Sequence, residues 1–332
     1  MNFRSGFLGL LLTLAWTVLP AQELRWFKGN MHTHTVHSDG DEQPARVVRW
    51  YRDHEYNFLV LTDHNELTPV ATLDTDERDG FLLIPGEEVT VRFNNRPAHQ
   101  NGLGIRTQVP AVVGRDMVET YQLNANALRA AGGLVQLNHP NWRYAVSAAE
   151  IVRLQGIRLL EVWNASGDTN NTPAGGHPGT EEIWDQVLSA GRVMYATASD
   201  DMHNLLGDYS ASKANPGHGW VVVRARELSQ AAILQALTAG DFYASTGIVL
   251  DDLRVNEGEY TVRIHPTGEE TAYTTTFVGR DGKVLATVFG REATYRIRGD
   301  EGYVRARIHD SNGNLAFCQP FFPTGLQKTG LQ

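Results

Sequence analysis

At 332 residues, with 42% hydrophobic and 20% charged positions, the chain has the make-up of a folded globular protein, long enough for one large domain and a smaller one. Its formal charge of -9 argues against binding nucleic acid through a basic surface. Cys318 is the only cysteine, so an intramolecular disulfide is excluded; within the apolar Ala316-Phe317-Cys318 it reads as a small buried hydrophobe.

The first 21 residues read as a secretory signal peptide. Arg4 supplies a basic lead, residues 6–19 are apolar but short for a membrane span, and Pro20-Ala21 offers a small residue at a cleavage point. The mature chain then starts near Gln22, with a periplasmic or secreted location and no membrane span left.

Next comes Gly29-Asn30-Met31-His32-Thr33-His34, followed by a polar turn ending in Asp39. On an extended backbone His32 and His34 point to the same side, so two imidazoles can grip one ion. A helix is predicted over 44–54, with Val47, Val48 and Tyr51 on one face. The apolar run 58–61 leads into Thr62-Asp63-His64, and the run 81–84 into Pro85-Gly86-Glu87-Glu88. His99 lies in Arg96-Pro97-Ala98-His99-Gln100-Asn101, a segment that reads equally well as a surface loop. A helix over 116–131 precedes the strand 134–137, which delivers Asn138-His139-Pro140 and then Asn141-Trp142-Arg143-Tyr144.

Helices are predicted over 148–154, 180–190 and 229–239, and strands over 159–163, 193–196 and 220–223. Gly191 and Gly240 stand where a left-handed helix cap belongs. The segment 166–180, rich in Gly, Asn, Thr and Pro, has the length of a functional lid; its His177 is either a substrate contact or a solvated loop residue. After 193–196 comes Ser199-Asp200-Asp201-Met202-His203. This βαβ rhythm predicts a mainly parallel sheet, and ligand-type residues at successive strand ends favour its closing around one central site. Beyond Gly247 the pattern changes to short alternating segments separated by Glu301-Gly302, Asp281-Gly282 and Asn312-Gly313. Residues 248–332 therefore read as a small antiparallel β-sandwich packed on a 22–247 α/β unit. It either covers that unit or binds a glycan or the envelope; without an aromatic cluster, cover is the reading preferred.

His-x-His with a downstream Ser-Asp-Gly, Thr-Asp-His, Pro-Gly-x-Glu, Asn-His-Pro and a closing Asp-x-His, in this order over residues 26–247, resemble the polymerase and histidinol phosphatase (PHP) family of metal-dependent phosphoesterases. Phe242-Tyr243-Ala244-Ser245-Thr246-Gly247, leading into a C-terminal β-domain, is similar to the branch around the carbaryl hydrolases. The amidohydrolase superfamily also opens with His-x-His but fits the later motifs less well. The PHP resemblance implies a distorted (β/α)7 barrel and nine metal ligands: His32, His34, Asp39, His64, Glu88, His99, His139, Asp201 and His203. It groups His32, His34, Glu88 and Asp201 on one ion. Glu88 would bridge to a second ion with His99 and His139, and Asp39, His64 and His203 would hold a third. Imidazole and carboxylate without thiolate suit two or three divalent ions of Zn, Mn or Fe. Asp39, where some relatives have histidine, leaves two ions open.

The implied reaction is hydrolysis of a phosphate ester on a small-molecule substrate, by a hydroxide shared between ions. Arg143 is the candidate for pairing with a phosphate oxygen and Lys213 a second one, while His37 is either a proton donor to the leaving group or a solvated turn residue. Asp63 is expected to orient His64 or another ligand histidine. Two alternatives stay open: a carbamate, ester or amide hydrolase on the same ions, and a non-catalytic metal- or glycan-binding envelope protein.

Overall fold

In the computed structural model, which describes residues 23–73, 80–210 and 212–323, the chain is a mixed α/β protein built on one large sheet. The residues read as a signal peptide lie outside the described ones. Among those described, no helix is long and apolar enough to cross a membrane.

Seven strands form an arc around the site. They are β1 (Arg25–Asn30), β2 (Phe58–Leu61), β3 (Leu82–Phe93), β4 (Arg96–Leu103), β5 (Leu134–Leu137), β6 (Leu159–Asn164) and β7 (Tyr195–Ser199), hydrogen-bonded in that order. All the neighbouring pairs are parallel except those of β4, which is antiparallel to both β3 and β5. Just beyond the strand ends the arc meets itself: Thr33 bridges Met202, and His34 donates its N–H to the Met202 carbonyl at 2.8 Å. Helices α1 (Pro44–Asp53), α2 (Met117–Ala130), α3 (Ala148–Ile151) and α4 (Thr180–Ser189) connect strands of the arc. α1 begins with Pro at its first turn, where no intrahelical N–H is needed, and buries Val47, Val48 and Tyr51 as expected.

The inverted β4 is the departure from a regular (β/α)7 pattern. The apolar run at 82–84 does not stop at Pro85-Gly86; β3 continues to Phe93 and turns back on Asn94-Asn95, whose φ values of 48° and 64° make a tight two-residue hairpin. Asparagine tolerates that left-handed backbone where bulkier residues do not. Glu88 is therefore inside a strand and His99 lies on the returning one, where a surface loop had been an equal reading.

From β1 the sheet runs the other way through β8 (Trp220–Ala225) and β9 (Phe242–Ser245), joined by α5 (Gln230–Ala239), which ends on Gly240 at φ 82°. β9 pairs with β16 (Leu315–Phe321), beside which lie β15 (Val304–Asp310), β12 (Tyr273–Gly279) and β13 (Lys283–Phe289). The C-terminal strands thus extend the main sheet. A second sheet of β10 (Val249–Val255), β11 (Glu259–His265) and β14 (Glu292–Arg296) shares with them an apolar core that includes Tyr243, Tyr260, Phe277 and Ile308.

Two polar devices tie the C-terminal strands to the arc. The Gln319 amide accepts from the Ala196 N–H and donates to the Ala196 carbonyl, both at 2.8 Å, so a side chain satisfies the outer edge of β7. The buried Arg305 guanidinium donates to both Asp185 oxygens at 2.8 and 2.7 Å, pairs with Glu181 at 2.7 Å, and lies 4.7 Å from the Trp184 ring centroid on α4. Two carboxylates and an aromatic face compensate a charge that burial alone would disfavour.

Candidate metal centre

The arc brings the nine ligand candidates together at the carboxyl ends of its parallel strands. His32 and His34 follow β1, His64 follows β2, His139 follows β5, and Asp201 and His203 follow β7; Glu88 and His99 come from the β3–β4 hairpin. Backbone strain recurs here: His139 has φ 22° and Asp201 φ 48°, and Asn65, next to His64, has φ 52°. Such conformations cost roughly 1–3 kcal/mol each and persist only where the surroundings over-determine them.

Glu88 is the hub. Its Oε1 lies 3.4 Å from His32 Nε2, 3.1 Å from His99 Nδ1 and 3.4 Å from His139 Nε2. Its Oε2 lies 3.5 Å from His34 Nε2 and 2.7 Å from His64 Nδ1. One carboxylate therefore faces three imidazoles with one oxygen and two with the other. Asp201 Oδ1 is 3.1 Å from both His32 Nε2 and His34 Nε2. Asp39, the most exposed member at 57%, reaches His203 Nε2 at 3.2 Å, His64 Nε2 at 3.5 Å and His34 Nδ1 at 3.9 Å. Four sets follow whose ligand atoms lie within 4.8 Å of one another: His34, Asp39, His64 and His203; His32, His34 and Asp201; His32, Glu88 and His139; His64, Glu88 and His99.

These residues fit divalent cations. His32 Nε2 and Glu88 Oε2 are each buried without a hydrogen bond of good geometry, a costly state that ligating a cation would relieve. Without cations the carboxylates hold protons on some imidazoles. Burial would lower His64 and His203, but Glu88 and Asp39 push His64 up to about 10, and Asp201 and Asp39 push His203 up to about 8. His34 goes the other way, to about 4, because burial and the neighbouring His203 disfavour its charge. Burial would raise Glu88, yet the surrounding imidazoles hold it well below the usual carboxylate range.

A layer of buried polar residues orients this set. Glu161 Oε1 lies 3.0 Å from His32 Nδ1 and also meets Ser199 Oγ, while its Oε2 accepts from the His139 N–H at 2.8 Å and from Asn164 Nδ2 at 2.9 Å. Asn164 Nδ2 also donates to Asp201 Oδ2 at 3.0 Å. Asn138 Nδ2 donates to Glu88 Oε1 at 2.7 Å and to Asn101 Oδ1 at 2.9 Å. Glu161, Asn164 and Asn101 were given no site role from the sequence, and Asn138 and Ser199 entered only as parts of longer motifs, although a glutamate inside the apolar Leu159-Leu160-Glu161-Val162 was itself a signal, since charged residues are rarely buried without partners.

Other candidates are placed differently. Asp63 does not orient His64: among the described residues its partners are Thr35, Ser38 and Thr68, so it fixes the turn that presents Asp39. Asp200 accepts from the His218 and Gly219 N–H groups, Asn30 and Tyr51, and Glu87 accepts from the Val109 N–H; neither belongs to a ligand set. A cavity of about 460 Å³ opens over the ligands and is further lined by Trp142, residues 166–169, Asn204, Ser212 and Ala214. Arg143, His37 and Lys213 do not line it. The exposed Arg143 has its guanidinium carbon 5.2 Å from the Trp142 ring centroid, His37 Nδ1 lies 2.8 Å from Thr68 Oγ1, and Lys213 donates to the Asp208 carbonyl at 2.9 Å. His177 stacks on Tyr144 at 3.7 Å.

No family model matches the chain. A stretch of 86 residues, 25% of this chain, is 31% identical to the 5'-3' exoribonuclease Rnm of Salmonella typhimurium and spans 29% of that protein's length. An amidohydrolase from Chromobacterium violaceum, solved with bound sulfate and no metal, is 18% identical, with a TM-score of 0.39 over 53% of this chain and 87% of that one. A two-domain protein from Bacteroides vulgatus containing a predicted PHP-like metal-dependent phosphoesterase is also 18% identical, but it aligns over 91% of this chain and 97% of its own with a TM-score of 0.50. Over nearly its whole length the chain shares the fold of that two-domain protein.

Proposed function

We propose that this protein hydrolyses a phosphate ester of a small-molecule substrate at a centre of two or three divalent cations. The observation that carries the reading is the division of five imidazoles between the two oxygens of Glu88, with Asp39 building a further set toward the mouth. Two or three dications around one cavity concentrate more positive charge than a neutral carbonyl group requires. That charge matches a phosphoryl group. The likeness to an exoribonuclease over 86 residues supports a phosphoryl substrate as well.

Glu88 with His32, His34, His99, His139 and Asp201 would hold two cations, and Asp39 with His64 and His203 a third. When bound, the cations supply Lewis acidity and make water acidic enough to serve as nucleophile at neutral pH. The chain's own part is to keep that geometry. Glu161 holds the His32 ring and the His139 backbone, Asn138 and Asn164 hold Glu88 and Asp201, and the turn fixed by Asp63 presents Asp39. The strand arc is read as the distorted barrel of this family and the paired C-terminal sheets as a sandwich grown onto it. The apolar leader supports export to the periplasm or beyond.

The same arrangement could attack a carbonyl carbon, and among the described residues no Lys or Arg lines the cavity, which favours that second reading. The test is hydrolysis by the chain from Gln22 onward, loaded with Mn²⁺ or Zn²⁺, on aryl phosphomonoesters and phosphodiesters beside aryl carbamates and carboxylic esters. Metal-dependent release from a phosphate ester is the expected result. Release from carbamate or ester alone would transfer the protein to the carbonyl class.

A further inference from the structure

One wall of the cavity is unlike the rest. Among the described residues its lining consists of seven of the nine ligand candidates, small or hydroxyl residues, Asn204, Asp168 and a single aromatic residue outside the ligand set, Trp142. The indole packs against two of the three imidazoles on the Glu88 Oε1 side, with ring centroids 5.1 Å from His99 and 5.5 Å from His139. A group attached to the scissile bond there has one flat apolar surface within reach.

Trp142 is held firmly. Its Nε1–H donates to Oδ2 of Asp168, on the 166–180 loop, at 2.9 Å. Asn141 just before it donates to the Asn170 and Pro178 carbonyls at 3.1 and 2.7 Å, and Asn170 returns a bond to the Asn141 carbonyl at 3.1 Å. Arg143 and Tyr144 just after it both take left-handed backbone, φ 53° and 48°, without being glycine. Strain of this kind, two residues running and beside strained His139, marks a segment kept for what it presents. The guanidinium carbons of Arg92 and Arg143 lie 5.8 and 5.2 Å from the indole centroid, and neither residue lines the cavity. The wall itself therefore offers an aromatic face and the Asp168 carboxylate, and among the described residues it has no Lys or Arg for a second anionic group.

We propose that Trp142 and Asp168 form the leaving-group subsite and that they select an aromatic alcohol portion carrying no further negative charge. This rests on the phosphoester reading for the scissile group. A planar ring would stack on the indole while its phosphoryl group lies on the cations. A carboxylate or second phosphate on that ring would face Asp168 and be repelled.

The test uses non-hydrolysable ligands on the metal-loaded protein: phenylphosphonate, cyclohexylphosphonate and 4-carboxyphenylphosphonate, with dissociation constants measured by calorimetry. Phenylphosphonate should bind about tenfold more tightly than its saturated counterpart, as ring stacking allows. In Trp142→Leu that ratio should fall to near one, and in Trp142→Phe, which keeps a flat face, most of it should survive. The carboxylated ligand should bind several-fold more weakly than phenylphosphonate, and Asp168→Asn should narrow that gap. Equal binding of the phenyl and cyclohexyl compounds in the wild-type protein, or a ratio that Trp142→Leu leaves unchanged, overturns the subsite. So does tighter binding of the carboxylated ligand. If no phosphonate binds, the phosphoester reading fails, and the ring preference is then decided on benzoate against cyclohexanecarboxylate, where equal binding overturns it and a Trp142-dependent preference sustains it.

Discussion

Glu161 Oε1 lies 3.0 Å from His32 Nδ1, so this fully buried carboxylate would take the Nδ1 proton when Nε2, which faces Glu88 and Asp201, ligates a cation. Its other oxygen holds the His139 backbone. One residue outside the ligand sets thus orients ligands from two strands. Glu161→Gln should keep the fold and lower metal affinity about 10–100-fold, the usual effect of losing such a partner. Competitive metal titration against a chelating dye measures it; wild-type affinity in the variant would refute the role.

Glu88 and Asp39 should separate by stoichiometry. Glu88 takes part in two ligand sets beneath the cavity, whereas Asp39 belongs to the outer one only. Glu88→Ala should therefore lose at least two ions and reduce turnover by about 10³-fold or more, the order expected when a main electrostatic element is removed. Asp39→Ala should lose one ion at most. Metal content by mass spectrometry of the dialysed variants distinguishes them, and equal losses would contradict the assignment.

Metal loading should expel protons. In the metal-free protein His64, at about 10, and His203, at about 8, are mostly protonated at pH 7, since the carboxylates overcome the effect of burial. An imidazole must be neutral to ligate a metal, so binding displaces these protons and weakens as pH falls. For the metal-free fold the sign is opposite. These raised values contribute stability that is fully present below pH 6.5 and is lost as pH rises through about 8 and then about 10. Calorimetric titration in two buffers of different ionisation enthalpy should show net release of more than one proton per protein at pH 7. No release would rule the coupling out.

Arg305 should be indispensable while its carboxylates remain. Removing one partner of a buried ion pair leaves an uncompensated charge, so Arg305→Met should destabilise the protein by about 3–5 kcal/mol in denaturant melts. Arg305→Met combined with Glu181→Gln and Asp185→Asn should recover part of that loss. Burial would raise Glu181, but Arg305 and Arg307 hold it below its ordinary value, so its contribution is present at neutral pH and disappears as pH falls through that lowered value. A wild-type melting temperature that stays flat through the acid range would show that the pair contributes nothing.

The ligand-bearing strand ends were legible because each short apolar run is followed at once by a residue type that binds metal, as in Phe58-Leu59-Val60-Leu61 before Thr62-Asp63-His64. β4 was not, since Arg96-Pro97-Ala98-His99-Gln100-Asn101 shows no alternation: seven of its eight residues are buried, and Asn101 finds its partners at Met31 and Asn138, far along the chain. Glu161, Asn138 and Asn164 stayed hidden for a related reason, because a buried polar side chain declares its role only through partners far along the chain. The continuity of the sheet from β9 to β16 has no local signature either, as it joins Ser245 to Ala316.

The Gln319 amide on the edge of β7 has a consequence for biosynthesis. Everything up to Asn314 can emerge while β9 still lacks its second neighbour and Ala196 its hydrogen-bonding partner. The strand leading to Asp201 and His203 is thus secured only once residues 315–321 are in place. A nascent chain halted shortly before Gln319 would expose two open strand edges and be prone to associate through them.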